Sequence, residues 1–186
     1  KIEAITSRVP YMTAPGNHEF LWNFTAYRAR YWMPLPKDQH GAPAGDGMYY
    51  RFSVGRLAFV MMDSETTINT PDIDAAQRQW ALGQMKAINA AGDFLLVSHH
   101  RPLYASQGSN ADMWDDILRA QVEALYKAQR ARIVMYGHVH NYERTFPVFD
   151  GKVGSLSLRD PADPMYLLNG AAGQNEGQDT FRTNNS

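Results

Sequence analysis

The sequence predicts an α/β fold, and two observations support that prediction. Short apolar runs of four or five residues alternate with longer amphipathic stretches along the chain, which is the pattern of strands alternating with helices. Several of these apolar runs end in glycine or in polar residues, as strands do at the edge of a sheet. With 186 residues, the chain is long enough for one domain with an ordinary core.

The same periodicity places the individual elements. The predicted strands are residues 9–13, 48–54, 57–63, 94–98, 133–136 and 165–169. The predicted helices lie within residues 20–33, from Asp72 or Asp74 to about Ala91, and over residues 113–130. Gly55-Arg56 separates two of the strands and predicts a hairpin, Gly92 is a stop signal for the second helix, and residues 34–47 are rich in proline and glycine and predict a loop.

Composition excludes several classes of function. The net charge is −1 and no run approaches the length of a membrane span, so we expect neither a nucleic-acid partner nor a membrane partner. The chain has no cysteine, which rules out disulfides, thiolate metal sites and a cysteine nucleophile. The first residue is Lys1, no signal peptide is visible, and we expect the chain to be part of a longer one.

The histidines point to a metal site. The chain has six, and five of them fall in three segments: Gly16-Asn17-His18-Glu19, Val97-Ser98-His99-His100 and Gly137-His138-Val139-His140. Each segment follows a predicted apolar run, and open sheets bind ligands outside the carboxyl ends of their strands. Neutral imidazole binds transition-metal ions well, and an asparagine oxygen suits harder cations. Because adjacent strand residues point to opposite sides, only one of His99 and His100 is expected in the site, and His99 is the one expected to pack.

Longer strings around these residues resemble a known family. Residues 9–19 (VPYMTAPGNHE), 100–104 (HRPLY), 136–144 (YGHVHNYER) and 169–173 (NGAAG) resemble the purple acid phosphatases of the calcineurin-like metallophosphoesterase superfamily. The resemblance implies an αββα sandwich, here incomplete at both ends. It implies that residues 1–186 are a partial metallophosphoesterase catalytic domain.

The resemblance also implies a function and its residues. The family hydrolyses phosphate monoesters by a dinuclear metal-hydroxide mechanism, with Fe(III) beside Zn(II), Fe(II) or Mn(II). Asn17, His100 and His138 resemble ligands of the divalent ion, and His140 resembles a ligand of the ferric ion. His18 resembles the catalytic and substrate-binding residue that faces the phosphate and helps the leaving group depart.

The acidic part of the family pattern is not found in the sequence. The four ligand candidates are all neutral, whereas two neighbouring multivalent ions need anionic ligands between them. Asp63 ends a predicted strand, and we expect it to cap the turn Asp63-Ser64-Glu65 instead of binding metal. We therefore expect the isolated chain to bind at most one ion, weakly, and to be inactive alone, while the full-length protein is the phosphatase.

Two other readings stay open. A metallophosphodiesterase or nucleotidase of the same superfamily would use the same histidine segments, and a truncated module could keep the fold without catalysis. Asn23-Phe24-Thr25 matches the glycosylation acceptor pattern, which makes Asn23 a candidate glycosylation site. The resemblance implies a secreted or vesicular/lysosomal location and small phosphate monoesters as substrates.

Overall fold

A computed structural model of the chain describes residues 3–36, 46–66, 72–106 and 116–171. The strands are β1 (Tyr50–Val54), β2 (Leu57–Met61), β3 (Phe94–Ser98), β4 (Ile133–Tyr136), β5 (Tyr142–Arg144), β6 (Val148–Phe149), β7 (Lys152–Val153) and β8 (Met165–Asn169). The helices are α1 (Glu3–Thr6), α2 (Thr25–Arg30), α3 (Ala75–Ala90) and α4 (Ala124–Ala128), the last preceded by a π-helical segment, Arg119–Glu123.

Six of the strands form one mixed sheet in the order β1-β2-β3-β4-β8-β5. Strands β2, β3, β4 and β8 are parallel, whereas β1 and β5 pair antiparallel at the two edges. Strands β6 and β7 form a separate small hairpin. The carboxyl ends of the four parallel strands, with the loops that follow them, therefore lie along one border of the sheet. We call this border the carboxyl edge.

One face of the sheet carries the main core. Alternate strand residues on this face are buried, and they pack with buried residues of α3, the π-helical segment and α4. Tyr126 of α4 is fully buried, and its hydroxyl donates a hydrogen bond to Met62 Sδ at 3.4 Å. None of the helices in the described ranges has the length and apolar character that a membrane span requires.

Most predicted elements are confirmed. The hairpin β1–β2 turns at Gly55, and α3 begins after Asp74, whose side chain accepts a hydrogen bond from the Gln77 N–H at 2.8 Å. Gly92 follows the end of α3 with a φ of 72°, a left-handed conformation that suits glycine. Helix is also found within the predicted 113–130, over residues 116–128. Residues 113–115 and most of the predicted loop, 37–45, lie outside the described residues.

The prediction of a strand at residues 9–13 is wrong. This segment forms no strand, and at Thr13 side chains occupy the backbone carbonyl that a ladder would use. The hydroxyls of Tyr27 and Tyr50 both donate to the carbonyl oxygen of Thr13, at 3.1 and 2.7 Å. Pro10 in addition has no N–H to donate. The segment is thus attached to α2 and β1 through tyrosines.

Candidate metal centre

Three polar side chains from distant parts of the chain meet at the carboxyl edge of the sheet. His100 Nε2 lies 2.7 Å from Asn17 Oδ1 and 3.1 Å from His138 Nδ1. The third distance, from His138 Nδ1 to Asn17 Oδ1, is 3.2 Å. We call these three atoms the donor triangle. His100 follows β3 and His138 follows β4, so the parallel register of neighbouring strands brings both histidines to the same place.

A tight turn holds Asn17 in the donor triangle. The Gly16 N–H donates to Glu19 Oε2 at 2.9 Å, and the Glu19 N–H donates to the Gly16 carbonyl oxygen at 3.0 Å. Gly16 is buried, and a Cβ there would lie 2.9 Å from the His100 ring. The absence of a side chain at position 16 is therefore what lets the His100 ring pack against the turn.

The loop after β4 has an irregular backbone. Its N–H groups bond to carbonyls two residues back, from Val139 to Gly137 and from Asn141 to Val139, both at 2.8 Å. His138 has a φ of 65°, a left-handed conformation that is costly for a residue with a side chain. The loop is thus not extended, so the alternation of side chains along a strand does not place His138 and His140 on one face.

The loop after β8 packs against the loop after β4. The Gly170 N–H donates to the Asn141 carbonyl oxygen at 3.0 Å, and a Cβ on Gly170 would overlap the carbonyl oxygen of Val139. Asn141 is completely buried. The backbones of these two loops therefore pack directly against each other beside His138.

The two adjacent histidines after β3 have different environments, as expected. His99 is buried at 2% exposure, lies between the rings of Tyr126 and Tyr136, and its Nδ1 lies 2.7 Å from the Arg101 carbonyl oxygen. Burial lowers the pKa of His99 to about 4. Burial also lowers the pKa of His100 well below its usual value, with His138, Arg101 and His18 adding to the effect. Both imidazoles are therefore neutral near pH 7, the form in which imidazole binds metal.

A buried ion pair lies behind His138. Arg101 Nε donates to Glu65 Oε1 at 2.9 Å, and Arg101 Nη2 donates to Glu65 Oε2 at 3.2 Å. Arg101 Nη1 lies 3.0 Å from His138 Nε2. Glu65 and Arg101 are not predicted as site residues from the sequence. The available signal was an arginine directly after a candidate ligand, but its partner 36 positions away could not be identified from local pattern.

Asp63 caps a turn and does not join the donor triangle. Its Oδ1 accepts a hydrogen bond from the Glu65 N–H at 2.8 Å, which confirms the predicted turn. Its backbone N–H and carbonyl bond to the amide of the Gln77 side chain, at 2.7 and 3.0 Å. Burial raises the pKa of Asp63 to about 7.

The remaining predicted site residues are less closely joined to the donor triangle. His18 is exposed, yet near enough for its charge to lower the pKa of His100. His140 is half-buried. Within the described ranges, no three histidine, cysteine, aspartate or glutamate side chains are grouped so as to hold a metal, so His140 does not form such a group with His100 and His138. Its assignment to a second ion stays a prediction. Asn23 is exposed and has a φ of 53°, and its glycosylation also stays a prediction.

The donor triangle fits a single metal ion. Ligand atoms about 2.1 Å from one ion lie roughly 3.0 Å apart in octahedral and roughly 3.4 Å apart in tetrahedral geometry. The three distances here, 2.7, 3.1 and 3.2 Å, are nearer to the octahedral value. Two imidazole nitrogens and one amide oxygen are acceptable ligands for zinc, iron or manganese. A cleft of about 300 Å³ opens beside His100 and is lined in part by Ser98, Met135 and Asn169.

Comparison with known proteins identifies the family and supports the fold. Residues 1–142 match the calcineurin-like phosphoesterase family. The chain is 29% identical to acid phosphatase type 7 of Danio rerio, over 97% of the chain and 45% of that protein. It is 30% identical to purple acid phosphatase 21 of Arabidopsis thaliana, over 95% of the chain and 39% of that protein. A purple acid phosphatase structure from yellow lupin (Lupinus luteus) seeds covers the whole chain with a TM-score of 0.77 at 24% identity, and the match spans 34% of the lupin chain.

The fold and the family match therefore define a metallophosphoesterase-type α/β protein. The chain belongs to the calcineurin-like phosphoesterase family, and its curated relatives include acid phosphatases and purple acid phosphatases. It spans less than half the length of these relatives.

Proposed function

We propose that the chain carries one half of a dinuclear metal centre and that the full-length protein hydrolyses phosphate monoesters. The observation that supports this most directly is the donor triangle, in which Asn17, His100 and His138 converge from three separate loops. The acid phosphatase relatives support the same reaction class. An Fe(III) ion beside Zn(II), Fe(II) or Mn(II), small monoester substrates and a secreted or vesicular location belong to this proposal.

The residues of the chain have separate roles in the proposed reaction. Asn17, His100 and His138 hold the divalent ion, and His140 contributes to the second ion. The ions, when bound, supply positive charge for the phosphoryl oxygens and activate water. His18, exposed beside His100, donates a hydrogen bond or a proton to the leaving oxygen. Because the donor triangle contains only neutral side chains, the dinuclear centre also requires carboxylate ligands from elsewhere, and the isolated 186-residue chain is proposed to bind at most one ion and to be inactive.

Activity of the full-length polypeptide tests the proposal. The protein is produced in a bacterial host, stripped with a chelator, reloaded with Fe³⁺ and Zn²⁺, and assayed on para-nitrophenyl phosphate and bis-para-nitrophenyl phosphate. We expect the monoester to be strongly preferred. A preference for the diester would favour the phosphodiesterase or nucleotidase reading, and no turnover with both ions bound would favour a non-catalytic module.

Three variants separate ion binding from catalysis. His138→Asn should lower the content of the divalent ion together with the activity, because it removes a ligand. His18→Asn should retain both ions and lose at least about 10²-fold in kcat, because it removes only the proton donor. Asn23→Gln, an exposed change a few residues from His18, is the matched control and should leave both unchanged. Full ion content and activity in His138→Asn would contradict the proposed site.

A further inference from the structure

The loop that carries Asn17 reaches the donor triangle without a strand to direct it. His100 and His138 each follow a parallel strand, and the register of β3 with β4 brings them together. The segment before Asn17, residues 9–13, forms no strand. The position of Asn17 Oδ1, 2.7 Å from His100 Nε2, therefore depends on contacts that the loop itself makes.

One end of this loop is held by hydroxyl groups. The carbonyl oxygen of Thr13 accepts hydrogen bonds from the hydroxyls of Tyr50 and Tyr27, at 2.7 and 3.1 Å. Pro15, two residues later, is buried, and its ring fixes φ. These contacts fix the chain as far as Pro15, and the direction of the residues that follow is set by the turn.

Glu19 closes the turn at the other end. Its backbone N–H donates to the Gly16 carbonyl oxygen at 3.0 Å, and its Oε2 accepts from the Gly16 N–H at 2.9 Å. Both bonds join Gly16 to Glu19, so together they fix the backbone of Asn17 and His18 between them. Gly16 is buried, and a buried N–H that loses its acceptor is costly. The Glu19 carboxylate is the acceptor that this conformation of the turn provides.

The same glycine is packed against a ligand candidate. A Cβ on Gly16 would lie 2.9 Å from the His100 ring and 3.1 Å from Glu19 Oε2. The carboxylate and the imidazole therefore both lie against Gly16. A turn that opened at Gly16 would move Asn17 relative to His100, because Gly16 is the residue that the two contacts share.

We propose that Glu19 is a positioning residue for Asn17: its carboxylate bonds to the Gly16 N–H and keeps the turn closed, so that Asn17 Oδ1 is directed at His100 and His138 before a divalent ion binds. This inference rests on the proposed function, because it concerns the same metal site. It gives a role to a residue outside the donor triangle. The acceptor oxygen, and not the negative charge, is what the turn requires, since a neutral amide oxygen can also accept from Gly16.

Two substitutions of Glu19 separate the hydrogen bond from the charge. Zn²⁺ affinity is measured by titration calorimetry on the metal-free, full-length protein. Glu19→Ala removes the acceptor and should weaken Zn²⁺ binding by at least about 10-fold, the scale on which outer partners of metal ligands act. Glu19→Gln keeps an acceptor oxygen and should remain close to the wild type. Equal losses in the two variants would overturn the inference, because the lost charge alone would then account for them.

Hydrogen exchange, followed by mass spectrometry, reports on the turn without any metal. In the metal-free protein, the peptide that contains residues 16–19 should exchange about 10-fold faster in Glu19→Ala than in the wild type, because the Gly16 N–H has lost its hydrogen bond. Glu19→Gln should keep the protection. Unchanged protection in Glu19→Ala would overturn the inference, because the turn would then stay closed without the carboxylate.

Asp74, at the start of α3, provides the matched control. Its carboxylate accepts from the Gln77 N–H at 2.8 Å, so Asp74→Ala also removes the acceptor of a backbone N–H. Both alanine variants should be less stable in urea, but only Glu19→Ala should lose Zn²⁺ affinity. An equal loss of affinity in Asp74→Ala would make the effect one of general stability and would overturn the inference.

The outcome for the wild type separates this inference from the proposed function. Failure of the wild type to bind Zn²⁺ would contradict the proposed function and the inference with it. Wild-type affinity in Glu19→Ala would overturn the inference alone and leave the proposed metal site intact.

Discussion

The carboxyl edge of the sheet and its helix-covered face are built on opposite principles. On the covered face, residues such as Leu95, Val134 and Tyr166 are almost completely buried in regular strands. At the edge, His138 has a left-handed backbone, and Glu65 and Arg101 bring charge into the interior. Unfavourable arrangements of this kind persist where the surrounding structure holds them. The comparison indicates that the covered face stabilises the fold and that the edge uses this stability to present the donor triangle.

The largest expected effect comes from placing a side chain between the loop after β8 and the loop after β4. In Gly170→Ala the new Cβ would overlap the Val139 carbonyl oxygen, and a backbone cannot give way as a side chain can. We expect a loss of more than about 3 kcal/mol in the free energy of unfolding, together with loss of Zn²⁺ binding. Urea denaturation and calorimetry measure the two. Gly137→Ala is the control in the neighbouring loop, since a Cβ there meets nothing within 4 Å. Equal behaviour of the two variants would contradict the packing described for these loops.

The covered face should respond in stability alone. Leu95 is 1% exposed in the core, and Leu95→Ala should lower the free energy of unfolding by about 3 kcal/mol through lost burial and a residual cavity. Zn²⁺ affinity, measured where the variant is folded, should stay unchanged. Val54→Ala, at an exposed strand position, should change the stability by less than about 0.5 kcal/mol. A parallel loss of affinity in Leu95→Ala would show that the two regions are not separable.

The difference between the covered face and the carboxyl edge also determines which features could be predicted from the sequence. The β1–β2 hairpin and α3, with its Asp74 cap, follow from periodicity and capping residues within a few positions of each other. The convergence of the loops containing His100 and His138 follows from one further rule, that parallel strands share a carboxyl edge. Local pattern and strand direction were therefore sufficient for the body of the fold and for the location of the site.

What could not be predicted depends on contacts between distant positions. Residues 9–13 read as a strand, but tyrosine hydroxyls from two other elements occupy the Thr13 carbonyl. The left-handed φ of His138 arises in a loop packed against Gly170, and the pairing of Arg101 with Glu65 spans two strand ends. None of these leaves a periodic signal, because each is set by tertiary packing.

A separate effect should appear in the pH dependence of stability. Burial first, and then the negative charges of Glu65, Asp46 and Asp74, raise the pKa of Asp63 to about 7. Between about pH 4 and 7 the unfolded chain has released this proton while the folded chain retains it, so the free energy of unfolding falls as the pH rises through this window. Asp63→Asn cannot ionise and retains the oxygen that accepts from the Glu65 N–H.

The comparison of Asp63→Asn with the wild type isolates this contribution. The stability of the variant relative to the wild type should increase by about 4 kcal/mol between pH 4 and 8, as measured by urea denaturation across that range. His99, whose lowered pKa makes stability rise with pH below about 6.5, is present in both proteins and cancels in the difference. A difference that does not vary with pH would show that Asp63 ionises normally in the folded protein.

Gly16→Ala is expected to have the smallest effect on stability among the site variants and to act mainly on Zn²⁺ affinity. The added Cβ would lie 2.9 Å from the His100 ring, which is a side chain and can move, so the cost to unfolding should be about 1 kcal/mol. Moving the ring, however, withdraws Nε2 from the donor triangle, and Zn²⁺ affinity should fall by roughly 10-fold, or about 1.4 kcal/mol. The matched control is Gly83→Ala in α3, where a Cβ meets nothing within 4 Å and the better helix propensity of alanine should raise stability by up to about 1 kcal/mol. If Gly16→Ala instead lost stability and kept its affinity, the turn at Gly16 would belong to the stabilising body of the protein and not to the site.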